Sequence, residues 1–105
     1  MAALAAFYRA MLGLEVVREK GPDSIWLGLG AGAVLMIERR GAGEAPPSSG
    51  SLDLVAFDVD DTTKTSVKTR AVAAGCYDGE TAFTVYLRDP DGRRIGVSTY
   101  DFTAA

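Results

Sequence analysis

Residues 87–95 read Leu-Arg-Asp-Pro-Asp-Gly-Arg-Arg-Ile, and this stretch sets how the rest of the chain is read. It joins two alternating runs, Ala82 to Arg88 and Arg94 to Asp101, through Asp89-Pro90-Asp91-Gly92. Proline presets φ, aspartate hydrogen-bonds the backbone and glycine accepts positive φ, so these four residues predict a hairpin turn. Turn chemistry accounts for Asp89 and Asp91 better than a catalytic use does.

Upstream of the hairpin, Leu52 to Asp60 alternates as a strand. Thr62 or Thr63 is placed to cap a helix with an inner stripe of Val67, Ala71 and Ala74. That helix ends at Gly75, and a short strand near Cys76 to Asp78 follows. The first half repeats the pattern. Leu4, Phe7, Tyr8 and Met11 stand at i, i+3, i+4 and i+7, one stripe of an amphipathic helix, with Gly13 as its left-handed cap. Strands are predicted over Leu14 to Lys20, Ile25 to Leu29 and Ala33 to Arg39, with turns at Gly21-Pro22-Asp23-Ser24 and Gly30-Ala31-Gly32. The run Gly28 to Gly32 leads into a strand rather than a helix, so it reads as a hairpin and not as a phosphate loop.

The two glycine caps, Gly13 and Gly75, give the repeat an offset of 75 − 13 = 62 residues. One domain over 1–105 is expected, with module one at 1–40, a Gly/Pro/Ser linker at 41–50 and module two at 51–105. Module two has one element more, the strand Leu52 to Asp60. Its counterpart in module one would precede Met1, so a first strand is expected to be lost or to lie upstream.

Composition narrows the function. Eleven basic against 14 acidic residues give a net charge of −3 with no basic stripe, which argues against nucleic acid as a partner. No apolar run approaches the roughly 18 to 20 residues of a membrane span, and Met1 to Ala6 lacks a basic leader, so no membrane partner and a cytoplasmic location are expected. The single cysteine, Cys76, allows no internal disulfide and has no base beside it; it reads as a structural thiol. The chain has no histidine. That removes the commonest transition-metal ligand and general base, excludes a histidine-based triad, and leaves only oxygen ligands for any metal.

Three segments carry a family resemblance. Ala6-Phe7-Tyr8-Arg9-Ala10-Met11-Leu12-Gly13-Leu14 resembles the "FY…LGL" helix end of the vicinal-oxygen-chelate superfamily, the glyoxalase and bleomycin-resistance group. Arg88-Asp89-Pro90-Asp91-Gly92 with Ile95 is similar to its late "RDPDG…I" hairpin, and Val55 to Asp61 to the strand opening its second module. The resemblance implies an α+β fold: paired βαβββ modules forming a curled mixed sheet around a cup, helices outside. Catalytic members place metal ligands on matching strands. The corresponding positions here are an absent first strand, Glu38, Leu54 and Gly96, so neither a catalytic metal nor a cofactor is expected. Glu38 reads either as a ligand contact or as a solvated strand-end charge.

Alternation then assigns faces. Ile25, Leu27, Leu29, Leu35, Ile37, Val55, Phe57, Val59, Phe83, Val85, Leu87, Ile95 and Val97 are expected under the helices. The cup would receive Trp26, Met36, Glu38, Asp58, Tyr86, Ser98 and Tyr100 as ligand-binding residues, with Thr84 and Arg88 beside them. Aromatic faces among sparse polar groups suit a small molecule. The expected function is metal-free binding of a small planar or cationic organic molecule, as in the drug-sequestering bleomycin-resistance proteins, with antibiotic resistance as its setting and a homodimer as its assembly. The alternative is a metal-dependent lyase, isomerase or dioxygenase relative that completes its site through a partner chain.

Overall fold

A computed structural model describes residues 2–30, 33–38 and 54–100. The linker at 41–50, Ala31 and Gly32 of the first hairpin, and the expected strand ends at Arg39, Leu52, Asp53 and Asp101 lie outside the described residues. The chain is α+β and runs α1 (Ala2–Leu12), β1 (Glu15–Lys20), β2 (Ser24–Gly30), β3 (Ala33–Glu38), β4 (Val55–Asp58), α2 (Asp61–Ala74), β5 (Tyr77–Glu80), β6 (Thr84–Arg88) and β7 (Arg94–Ser98). It folds as two units, Met1–Pro46 and Pro47–Ala105.

In the first unit β1, β2 and β3 form an antiparallel sheet in that order. Helix α1 packs on β2, and the buried core is Ala5, Tyr8, Leu27 and Ile37. The expected stripe of Leu4, Phe7, Tyr8 and Met11 is therefore rotated: Ala5 and Tyr8 are buried, while Leu4, Phe7 and Met11 are half-buried. An alanine-rich helix is apolar on most sides, so its sequence pattern leaves the docking angle open, and small Ala5 permits the closest approach to the sheet.

The second unit holds a mixed sheet in the order β4-β7-β6-β5, with β4 parallel to β7 and the other pairs antiparallel. Helix α2 packs on β5, β6 and β7. Val67, Ala71, Val85, Leu87, Ile95 and Val97 form its core. Burying a Leu, Ile or Val side chain contributes about 1.5–3 kcal/mol, so five of these six residues supply most of the drive that holds α2 on its sheet. Ala74, expected in the inner stripe, is exposed at the helix end.

Both glycine caps adopt the left-handed backbone their position demands, φ 68° at Gly13 and 75° at Gly75. The N-cap of α2 differs from expectation. Asp60, not Thr62 or Thr63, caps the helix, its carboxylate accepting from the Thr63 backbone N–H at 2.7 Å. Aspartate caps as well as threonine, and its charge also suits the helix dipole. Thr63 is thus the residue being capped.

Three residues expected under the helices are not there. Val55 is 46% exposed, Phe83 51% and Leu29 38%. Val55 lies on outer strand β4, beyond the strands α2 covers. Phe83 precedes β6, where strand alternation has not yet begun, and packs edge-on against Tyr100 instead (centroids 5.6 Å apart). Leu29 sits where the β2–β3 register shifts between Gly28 and Gly30.

Candidate functional site

Each sheet has one face under its helix and one face turned away, and the expected site residues stand on the latter. In the first unit, Trp26, Met36 and Glu38 come together with Lys20, Asp23 and Ser24 around a shallow depression of about 310 Å³. Cross-strand register builds it: Trp26 is opposite Met36, and Ser24 opposite Glu38. The Trp26 indole N–H donates to Ser24 Oγ at 2.8 Å, which satisfies the ring's polar edge. Arg18 and Lys20 bring cations to 5.2 and 6.0 Å from the ring centroid. Strand alternation in the sequence pointed to neither.

A bulge puts them there. Val16 pairs with Leu27, yet Arg18 pairs with Trp26, so Val17 is the extra residue. Without it, Val17 would stand opposite Trp26 and Arg18 would move to the other face. Gly28 makes room for the bulge, since a Cβ there would lie 3.0 Å from Val17 Cγ1.

In the second unit three cross-strand rows line the open face. Asp58, Ser98 and Thr84 form the first, Ala56, Gly96 and Tyr86 the second, and Arg94 and Arg88 the third. Thr84 Oγ1 donates to Ser98 Oγ at 2.9 Å, and the Tyr100 backbone N–H donates to the same oxygen at 3.1 Å. Ser98 is buried, Asp58 is exposed, and Tyr100 is 48% exposed beyond the strand end. Thus Asp58, Tyr86, Ser98 and Tyr100 share this part of the molecule as expected. Asp78 of β5 joins them: one carboxylate oxygen accepts from Arg94 Nε (3.0 Å) and forms an ion pair with Arg88 Nε (2.9 Å). Arg94 was legible, because it has the same parity as Gly96 and Ser98. Asp78 was not, because β5 is irregular between Tyr77 and Glu80.

Asp89 is buried and holds its turn: Oδ1 accepts from the Asp91 and Arg93 backbone N–H groups at 3.0 and 2.9 Å, and Oδ2 from Arg93 Nη1 at 2.8 Å. Partial burial pushes the Cys76 thiol pKa up, disfavouring the thiolate.

The positions where the family resemblance implies metal ligands do not fit a transition ion. Glu38 is an exposed carboxylate at the end of β3, and Leu54 has no donor atom. Gly96 lies in register between Ala56 and Tyr86, and a Cβ there would stand 3.0 Å from Thr84 Cγ2. Among the described residues no three His, Cys, Asp or Glu side chains converge as a ligand group.

A family model described as "Glyoxalase-like domain" matches residues 1–98. The chain belongs to that family of the vicinal-oxygen-chelate superfamily. No curated protein matches it. Among solved structures it is similar to a lactoylglutathione lyase from Agrobacterium tumefaciens, 25% identical, with a TM-score of 0.65 over 92% of this chain and 83% of that one. It is also similar to a glyoxylase/bleomycin resistance protein/dioxygenase domain from Frankia sp. EAN1pec (18%, TM-score 0.75, 96% and 89%). A third is the fosfomycin resistance protein FosX from Listeria monocytogenes (14%, TM-score 0.73, 96% and 83%). The last two likenesses concern the fold alone. No helix among the described residues is long and apolar enough to cross a membrane.

Proposed function

We propose that the chain binds a small planar or cationic organic molecule without a metal, as a homodimer. The depression at Trp26, Met36 and Glu38 carries the reading: a flat indole face, a soft thioether and a carboxylate around about 310 Å³. The indole N–H is already bonded to Ser24, so the ring interacts through its π face, where Arg18 and Lys20 already stand; π faces attract flat or cationic partners, and a ligand would compete with these two side chains. The lack of histidine favours binding over metal catalysis. Because Trp26 is the only tryptophan, its emission reports this site directly. Titration with a panel of planar and cationic aromatics is expected to shift or quench it. Glu38→Gln should weaken cationic members by about fivefold, the effect of roughly 1 kcal/mol from one exposed charge pair. If no compound alters Trp26 emission at millimolar concentration, the reading fails.

The 25% identity to a lactoylglutathione lyase supports a second reading with equal claim, a metal-dependent lyase or isomerase relative. It needs ligands beyond those among the described residues, supplied in part by a partner chain. Metal analysis after chelator-free purification decides it. A stoichiometric bound ion, or a thermal shift with nickel, zinc, manganese or iron(II), favours this reading; neither is expected if binding is metal-free.

A further inference from the structure

We infer that the open face of the four-stranded sheet is a site for a planar cation, an amidinium or guanidinium group, and that the chain's own Arg94 occupies it. The inference rests on the small-molecule binding proposed above and adds a ligand class and an internal competitor. Arg94 rises from β7, crosses β6 and reaches β5. Its guanidinium carbon lies 3.8 Å from the Tyr86 ring centroid, close enough for the planar group to stack on the ring. Its Nε donates to Asp78 Oδ2 at 3.0 Å and its Nη2 to the Asp78 backbone carbonyl at 3.1 Å. A π face, a carboxylate and a carbonyl thus converge on one flat cation.

Asp78 has a second cation besides Arg94. Arg88, in register with Arg94, already pairs with the same carboxylate oxygen at 2.9 Å and donates Nη1 to the Gly92 carbonyl at 3.1 Å. Arg94 is therefore the second cation on one carboxylate, and what brings it there is the recognition geometry of the face. The neighbouring backbone leaves room for a flat group. At Gly79 the nearest atom to an added Cβ is Arg94 Nη2 itself, at the ordinary contact distance of 3.9 Å. The side chain is 37% exposed, and an ion pair so open to water is weak and readily displaced. A tethered side chain nonetheless competes at millimolar effective concentration, so it masks the site from a dilute ligand.

Benzamidine, a planar cation, and benzoate, its anionic match, test this on the full chain through the NMR shifts of the Tyr86 ring. Arg94→Ala should bind benzamidine about tenfold more tightly than the unsubstituted protein, with no gain for benzoate. Arg94→Lys, compact and non-planar, should fall between. Adding Asp78→Asn to Arg94→Ala should abolish the gain. If Arg94→Ala melts early, Arg94→Gln, which keeps most of the stem, carries the same expectation. No gain for benzamidine, an equal gain for benzoate, or a gain that survives Asp78→Asn overturns the inference. Trp26 emission, which belongs to the other unit, is read in the same titration. A Tyr86 response without a Trp26 response supports this site while the Trp26 reading fails alone.

Discussion

Gly96 shows how much one missing side chain determines. It sits between Ala56 and Tyr86 in register, with 3.0 Å between its would-be Cβ and Thr84 Cγ2 and 3.6 Å to two Tyr86 ring atoms. Thr84 cannot simply turn away, because its hydroxyl is bonded to buried Ser98. Overpacking of this kind costs about 1–3 kcal/mol, so Gly96→Ala should destabilise by about that much in urea unfolding. Thr84→Ser, which deletes Cγ2 and keeps the hydroxyl, should recover most of the loss in the double variant. Additive effects would show that the clash is not the cause. That glycine stands where the family resemblance implies a ligand was legible in the sequence once the hairpin was identified. That the place is also closed to a larger side chain was not, since closure depends on what two neighbouring strands bring.

At the scale of elements, α2 and β5 are tied by one exposed cluster. Glu80 Oε1 accepts from Lys68 Nζ and from the Tyr77 hydroxyl, both at 2.6 Å. The hydrogen bonds from Lys68 and then Tyr77 lower the Glu80 pKa, while the bond to Glu80 raises that of Lys68 and of Tyr77. A lowered carboxylate pKa means stability that is present above its unfolded value and lost as pH falls through the folded one. Raised pKa values for Lys68 and Tyr77 mean stability that is present below their unfolded values and lost as pH rises through the folded ones. The cluster therefore supports the fold across the neutral range and fails at both ends. Glu80→Gln should flatten both limbs of a plot of Tm against pH, with little change in slope near neutrality; steep limbs that persist would place their origin elsewhere. Most elements were legible from periodicity and turn chemistry. The α2 cap and the outward turn of Val55 were not, because the first depends on which of several capping residues the backbone selects and the second on how far a helix reaches across a sheet.

For the whole molecule, the repeat organises everything: α1 with β1–β3, then β4, α2 and β5–β7. In the second unit β4 covers the outer edge of β7, whereas among the described residues β3 pairs only with β2. A strand with an unpaired edge invites another chain. Sedimentation should accordingly give a species of twice the 11.0 kDa chain mass, and a proline placed at Leu35 of β3 should shift it toward monomer if pairing there holds the dimer. A monomer at all concentrations would remove the homodimer from the proposal.

By itself the sequence determined the repeat, the two left-handed caps, the Asp89–Gly92 turn and the face on which most candidate residues stand. These follow from local rules: a period of 3.6 or 2, a fixed proline φ, a glycine free of Cβ. Only the tertiary structure decided that Arg18 and Lys20 flank Trp26, that Arg94 crosses a strand to Asp78 over Tyr86, and that Phe83 leans on Tyr100. Those arrangements depend on a one-residue bulge, on register between strands and on the reach of long side chains. Such quantities are set between segments distant in sequence, and no local pattern encodes them.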